Sequence, residues 1–233
     1  MNHIICGDCL EMLPSSIPWT KTAFADPPDN LGLKYEGGVP DKRDDYIDWL
    51  GEITYRVLNN GPDVFWLSHY HKHTIPLLQS GLDDFGYDMR LFMWRFTFGQ
   101  HQEKDCGNGY RPILRFSRPG MMWNTDDIRI PSARQEKYGD KRANPAGRVP
   151  DDVWEFPRVC GTFHERRKWH PNQHPEALIE RIVRMSGGPV IDLFGGTFTV
   201  DRVCRRLGVD CTSIEISPYY CEQYEKELKG EQK

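Results

Sequence analysis

Apolar residues along this chain fall into short dense runs separated by polar, glycine- and proline-rich punctuation. HIIC at residues 3–6 and TAFA at 22–25 have strand length. The first leads into GDCLEML, a turn and helix start. The second stops at Asp26, where Pro27 and Pro28 supply no amide donors. From Asp44 to Leu58, Tyr46, Ile47, Leu50, Ile53, Tyr55, Val57 and Leu58 follow roughly helical spacing behind an acidic first turn. DVFWLS then reads as a strand, HKHTIPLLQSGLDDFG as a helix interrupted near Pro76, and YDMRLFMWRF as another strand. Between about Gly99 and Pro157 regularity falls away, with only short apolar runs such as PILRF. Long irregular stretches of this kind are usually functional or mobile. HPEALIERIVRMSGG is an amphipathic helix with a glycine stop. PVIDLFGG, FTVDRVCRRLG, VDCTSIEI and SPYYCEQYEKELKG follow as strand, helix, strand and helix, the last with Ser217 as its expected cap. That alternation builds a parallel sheet covered by helices.

Composition narrows the class. The chain has 233 residues, 38% of them hydrophobic and 27% charged, enough for one large domain. No apolar run approaches the roughly 18–20 residues of a membrane span, and the first residues lack the form of an export signal. Seven scattered cysteines fit a reducing cytoplasm, the expected location. The net charge of −4 hides an asymmetry: residues 90–170 hold 16 Lys and Arg against 10 Asp and Glu. A basic middle in an acidic chain suits a face that meets a polyanion, and equally an arginine-rich solvated surface. Cys6 and Cys9 form one C-x-x-C without a second pair, and His69, His71 and His73 alternate at a strand end, more in keeping with a polar loop near a cleft. No metal is expected.

Three stretches carry chemistry. Asp26-Pro27-Pro28-Asp29 lies at the carboxyl end of a strand, the edge where ligands of open α/β sheets gather. Its rigid turn places carbonyls beside a carboxylate, a set that accepts hydrogen bonds from an NH₂ group. On pattern alone a surface Pro-Pro turn is the plainer reading. Asp192-Leu193-Phe194-Gly195-Gly196-Thr197 is a strand entering a glycine turn, and 23 residues after Asp192 the next strand ends at Glu215. A carboxylate there is placed to accept from ribose hydroxyls, so a nucleoside-bearing cofactor is expected. His170-Pro171-Asn172-Gln173-His174-Pro175 precedes a helix, and by itself reads as a helix start.

In this order, these stretches resemble the beta group of amino-directed DNA methyltransferases. ADPPDNLGLKYEG is similar to the [DNS]-P-P-[YFW] catalytic motif, and IDLFGGTFTV to the D-P-F-x-G-x-G-T cofactor turn. DVWEFPRV with HPNQHPEAL resembles the segment before that turn, SIEISPYYCEQYEKEL the acid-ended strand and tail helix, and IICGDCLEML the N-terminal G-D stretch. The resemblance implies a Rossmann-like, seven-stranded sheet, mostly parallel with one antiparallel strand, in permuted order. The chain is then one domain with a catalytic half at 1–98, a target-recognition insert at 99–150 and a cofactor-binding half at 151–233. It further implies S-adenosylmethionine as methyl donor and double-stranded DNA as acceptor, leaving room for a homodimer.

Carried over by position, Asp26 and the Pro27 carbonyl orient the amine, with Pro28 and Asp29 completing the catalytic turn. Asp8, Asp192, Phe194, Gly195, Gly196, Thr197, Thr199 and Glu215 line the cofactor, and Asn172, His174 and Pro175 lie near its methionine end. Arg111, Arg115, Arg118, Arg129, Arg142 and Arg148 read as phosphate contacts. Adenine is expected because Asp26, rather than serine, opens the turn; the cytosine 4-amino group is the alternative. Cytosine carbon is disfavoured, since no Pro-Cys pair occurs. RNA or a protein glutamine amide is a further acceptor class; the arginine-rich insert favours nucleic acid over protein.

Two positions depart from the motifs. Asp29 stands where an aromatic would stack on a flipped base, a contact worth about 1–3 kcal/mol, so Asp29→Tyr is expected to raise methyl transfer. Phe198 replaces the last glycine of the cofactor turn, where a ring would crowd a nearby cofactor. A non-catalytic DNA-binding protein is therefore the competing class.

Overall fold

The computed structural model describes residues 2–13, 20–82, 85–97, 99 and 101–230. Eight strands form one sheet: β1 (His3–Cys6), β2 (Thr22–Ala25), β3 (Val64–Ser68), β4 (Asp88–Phe96), β5 (Tyr110–Ser117), β6 (Val153–Phe156), β7 (Val190–Asp192) and β8 (Cys211–Glu215). Their spatial order is β1-β8-β7-β2-β3-β5-β4-β6. Only β5 runs against its neighbours, pairing antiparallel with both β3 and β4. The expected single reversed strand is present, but the sheet has eight strands rather than seven, with β6 added parallel to β4 at the edge.

Helices α1 (Cys9–Met12), α2 (Tyr46–Asn59), α3 (Thr74–Gln79), α4 (Ala133–Glu136), α5 (Glu176–Ser186), α6 (Thr199–Leu207) and α7 (Pro218–Leu228) connect the strands. Strand alternation gives the sheet two apolar faces. On β3, Val64 and Trp66 join a cluster with Trp154, Ile179, Ile182 and Val203, beneath α5 and α6. Phe65 and Leu67 face the other way, to Leu50, Ile53 and Val57 of α2. Gly187, φ 78°, ends α5 in the left-handed region, as its place after the last apolar residue predicts. Among the described residues no helix is long and apolar enough to cross a membrane.

The stretch read as irregular holds two strands, β5 and β6. Pro112 lies inside β5, where a proline normally argues against a central strand. Two arginines, Arg111 and Arg115, interrupt its apolar alternation, yet both point into the structure because other groups receive them. The segment from 118 to 150 is consequently separated from β5's first residue by the strand's full length. Ser117 pairs with Val64 at the start of β3, so Arg118 sits at the sheet edge opposite the strand ends that carry Asp26.

Phe198 does not crowd a cofactor. It takes φ 56°, ψ 34°, the left-handed conformation that explains the glycine of the motif. Its ring is fully buried and stacks on Tyr224 of α7, with centroids 4.5 Å apart and planes 6° from parallel. A Cβ on Gly195 would lie 2.8 Å from that ring, so Gly195 must stay small to admit it. Ser217, the expected cap of α7, makes no capping bond; its hydroxyl donates to the Glu36 carbonyl, 2.9 Å away.

Phe198→Gly should lose about 3–5 kcal/mol of buried aromatic packing and recover about 1–2 kcal/mol from the relieved backbone. A net destabilisation of about 1–4 kcal/mol in urea unfolding is expected.

Candidate active site

Because seven strands run parallel and β5 begins where they end, all eight deliver residues to one edge of the sheet. A cavity of about 550 Å³ opens there, within the roughly 300–1,000 Å³ typical of small-molecule sites. Gly7 and Asp8 follow β1, Asp26 to Asp29 follow β2, Tyr70 and His71 follow β3, and Phe96 ends β4. Arg111 comes from the start of β5, Arg158 and Val159 follow β6, Asp192 ends β7 with Leu193 to Thr197 following it, and Glu215 ends β8.

The structure gathers nearly all the residues read as cofactor contacts. Asp8, Asp192, Phe194, Gly195, Gly196, Thr197, Thr199, Glu215, Asn172 and His174 line the cavity. Pro175 does not; it is buried at the N-terminal end of α5. Glu215 receives the amides of Gly196 at 2.7 Å and Ser217 at 2.8 Å, which bind the glycine turn to the start of α7. Each of its oxygens retains acceptor capacity for a further donor. Burial raises the Glu215 pKa against those two amide bonds. Asp192, 1% exposed, is raised further by burial, which outweighs the amide of Phe194 and is reinforced by Asp26, Glu215 and Asp201. A cationic ligand would relieve that cluster of acids.

On the opposite wall Asp26 is held from two sides. Arg111 Nη2 donates to its Oδ1 at 2.6 Å, and His174 Nδ1 lies 3.0 Å from its Oδ2. Burial alone would raise the Asp26 pKa, but the Arg111 guanidinium and His174 hold the carboxyl well below its ordinary 3.8. Arg111 also grips Asp29, donating from Nη1 to Oδ2 at 2.9 Å with Nη2 2.8 Å from Oδ1. Its Nε donates to Ser68 Oγ at 2.6 Å. The hydroxyl of Tyr46 donates to the Pro28 carbonyl at 2.6 Å, and His73 Nε2 bonds the Asp29 carbonyl at 3.0 Å. These bonds fix the turn while the Pro27 carbonyl takes no hydrogen bond from a described residue.

Asp29, then, is a buried counter-ion where the motif has an aromatic. Tyr35 and Trp94 are aromatic and line the same cavity. Trp94 is buried against His174, centroids 5.2 Å apart, while Tyr35 packs on His170 at 5.7 Å. Arg111, read as a phosphate contact, belongs to the carboxylates instead. Arg115 is 8% exposed, with its guanidinium 4.2 Å from the Trp123 ring centre, and is likewise withdrawn from the surface. Arg118 bonds the Gly61 and Pro62 carbonyls at the far edge. Arg129, Arg142 and Arg148 are each paired with a nearby aspartate: Asp126, Asp140 and Asp151.

Sequence reasoning missed Ser68, which ends a strand after four consecutive apolar residues and carries no motif. It also missed Asp41, 4% exposed, whose carboxylate accepts the amides of Asn30, Leu31 and Leu33 at 2.7–3.0 Å and folds the following loop over the cavity. Among the described residues no histidine, cysteine or acid cluster suits a metal, and His69, His71 and His73 diverge into separate contacts.

A doubly covered sheet with one reversed strand, a glycine turn, an acid at the next strand end and an Asp-Pro-Pro turn across the cavity defines a Rossmann-like methyltransferase. The profile of the DNA methylase family matches residues 20–226. A DNA adenine methyltransferase of Escherichia coli, YhdJ, is 31% identical over 93% of this chain and 79% of its own. The type II methyltransferase M.HpaI of Haemophilus parainfluenzae is 32% identical over 98% and 74%. Among solved structures, the cytosine-N4-specific PvuII DNA methyltransferase superposes with a TM-score of 0.69 at 19% identity, covering 94% of this chain and 84% of that one. The chain belongs to the amino-directed DNA methylase family and is an enzyme that uses S-adenosylmethionine. The competing non-catalytic reading loses its basis, since both departures are accommodated by the fold.

Two outcomes follow. Asp29→Tyr would remove one of two carboxylates from a buried guanidinium and force a ring into the space of a side chain 12% exposed. Contrary to the expectation from the motif, it should lower methyl transfer and destabilise the fold by about 1–3 kcal/mol, measurable by assay and denaturation. Asp26 binds fewer protons folded than unfolded, so its stabilising contribution is complete above 3.8 and lost as pH falls below that value. Asp26→Asn should flatten the acid side of the stability–pH curve; equal slopes in mutant and wild type would contradict the assignment.

Proposed function

We propose that this enzyme methylates the 6-amino group of adenine in double-stranded DNA, with Asp26 and the Pro27 carbonyl holding the amine. The observation that carries this reading is the open acceptor pair Asp26–Pro27, fixed across the cavity from the glycine turn and Glu215. The cavity suits S-adenosylmethionine by its lining: Glu215 for hydroxyl groups, the apolar Trp49 and Phe194 side chains for a flat base, and acids for its positive charges. Bound there, S-adenosylmethionine supplies a methyl group on a sulfonium that departs as a neutral thioether.

An exocyclic amine is a weak nucleophile because its lone pair is shared with the ring. Hydrogen bonds from its two N–H groups to Asp26 and the Pro27 carbonyl favour a pyramidal nitrogen and free that pair. The carboxylate also stabilises the positive charge that develops on nitrogen, a charge worth more in a site screened from water. Correct placement alone accounts for up to about 7–11 kcal/mol. The base must first leave the duplex, at a cost of a few kcal/mol. Adenine is preferred over cytosine because Asp26 opens the turn and the 31% identical relative is named an adenine methyltransferase.

Incubation with S-adenosylmethionine and unmethylated bacterial DNA, followed by mass spectrometry of the nucleosides, should yield N6-methyladenine with the wild type and none with Asp26→Ala. N4-methylcytosine would retain the mechanism and overturn the base.

A further inference from the structure

His174 was read from the motif as a contact to the methionine end of the cofactor, but the structure ties it to the catalytic carboxylate. Its imidazole packs edge-on to Phe24, centroids 5.9 Å apart, and tilted on Trp94 at 5.2 Å, which fixes the ring plane. Nδ1 is 3.0 Å from Asp26 Oδ2, and Nε2 is 3.1 Å from Ser68 Oγ. Ser68 Oγ in turn accepts from Arg111 Nε, and Arg111 Nη2 donates to Asp26 Oδ1. The charged and titratable groups around the imidazole are therefore Asp26 from the β2 end and Arg111 from β5, with Asp29 behind the guanidinium; β3 adds the Ser68 hydroxyl.

Proton counting gives three of these directions. Arg111 only donates, so Ser68 and Asp26 accept from it. Asp26, held ionised by Arg111, only accepts, so His174 donates to it from Nδ1. Arg111, Ser68, His174 and Asp26 thus close a ring of four contacts around the carboxylate.

We infer that His174, donating from Nδ1, is a positioning residue that sets Asp26 for methyl transfer. This rests on the reading that Asp26 receives the target amine. With Arg111 on Oδ1 and His174 on Oδ2, the Asp26 carboxylate is pinned against rotation, so its remaining lone pairs keep one direction. Loss of the imidazole donor would free that rotation and spread the acceptor over orientations that a substrate amine does not meet.

The test is the single-turnover rate of the full chain on unmethylated bacterial DNA with saturating S-adenosylmethionine, beside calorimetric binding of the cofactor. His174→Gln keeps a donor and an acceptor and should keep its rate within about tenfold of wild type. His174→Phe keeps a ring between Phe24 and Trp94 without a donor; it should fall at least about tenfold below the glutamine variant while both bind cofactor within about threefold of wild type. His174→Asn and His174→Leu serve as the matching pair if either variant does not fold. A phenylalanine variant as fast as the glutamine variant overturns the inference, as does a loss of cofactor affinity that accounts for the lost rate. A wild type that makes no methylated nucleoside overturns the function itself, a distinguishable failure.

Discussion

A guanidinium withdrawn from water next to two carboxylates of one turn is the interaction from which the site is built. Asp26 and Asp29 are three residues apart, and without a cation between them their mutual repulsion and burial would favour protonation of one. Arg111 bridges both, with Nη2 within 2.8 Å of each carboxylate, and its Nε fixes Ser68. The reversal of β5 is what makes this available. A parallel strand would deliver its last residue to this edge, whereas β5 delivers one of its first, eight residues ahead of a proline and glycine turn at 119–120. Breaking such a buried group costs more than a surface pair because the remaining charge has no water to turn to.

The two departures from the methyltransferase motifs become intelligible in the same terms. Asp29 occupies the aromatic's place but serves Arg111, so the position contributes charge balance to the catalytic turn instead of a stacking surface. Phe198 sits where backbone geometry calls for glycine, and its ring points into the packing between α6 and α7 rather than into the cavity. Each change is tolerated through a partner elsewhere: Arg111, 82 residues from Asp29, and Tyr224 with a small Gly195. A motif position judged alone overstates the damage, because the compensating residue lies outside the motif.

The placement of the arginines expected to meet phosphates is also redrawn. Arginines inside the 99–150 stretch were grouped by proximity in sequence, yet β5 spreads them from one edge of the sheet to the other. The arginines that line the cavity come from other stretches besides: Arg43, paired with Asp45, packs over Trp49 at 4.5 Å, and Arg158 over Phe96 at 5.3 Å. Phosphate contacts of a DNA ligand depend on such local geometry more than on a charge total.

Local pattern was sufficient for much of this protein. Apolar periodicity placed α2, α5, α6 and α7 and strands β1 to β4, β7 and β8, since each buries a face whose spacing is written in consecutive residues. The Asp26-Pro27-Pro28 turn and the glycine turn before Glu215 were legible for the same reason: short-range backbone constraints leave short-range signatures. The direction of β5, the burial of Arg111 and the bond from His174 to Asp26 had no such trace. Arg111 is 85 residues from Asp26, and Ser68 is 106 from His174. Whether a charged side chain meets phosphate, water or a buried acid depends on which strand end it shares, and only the assembled sheet decides that.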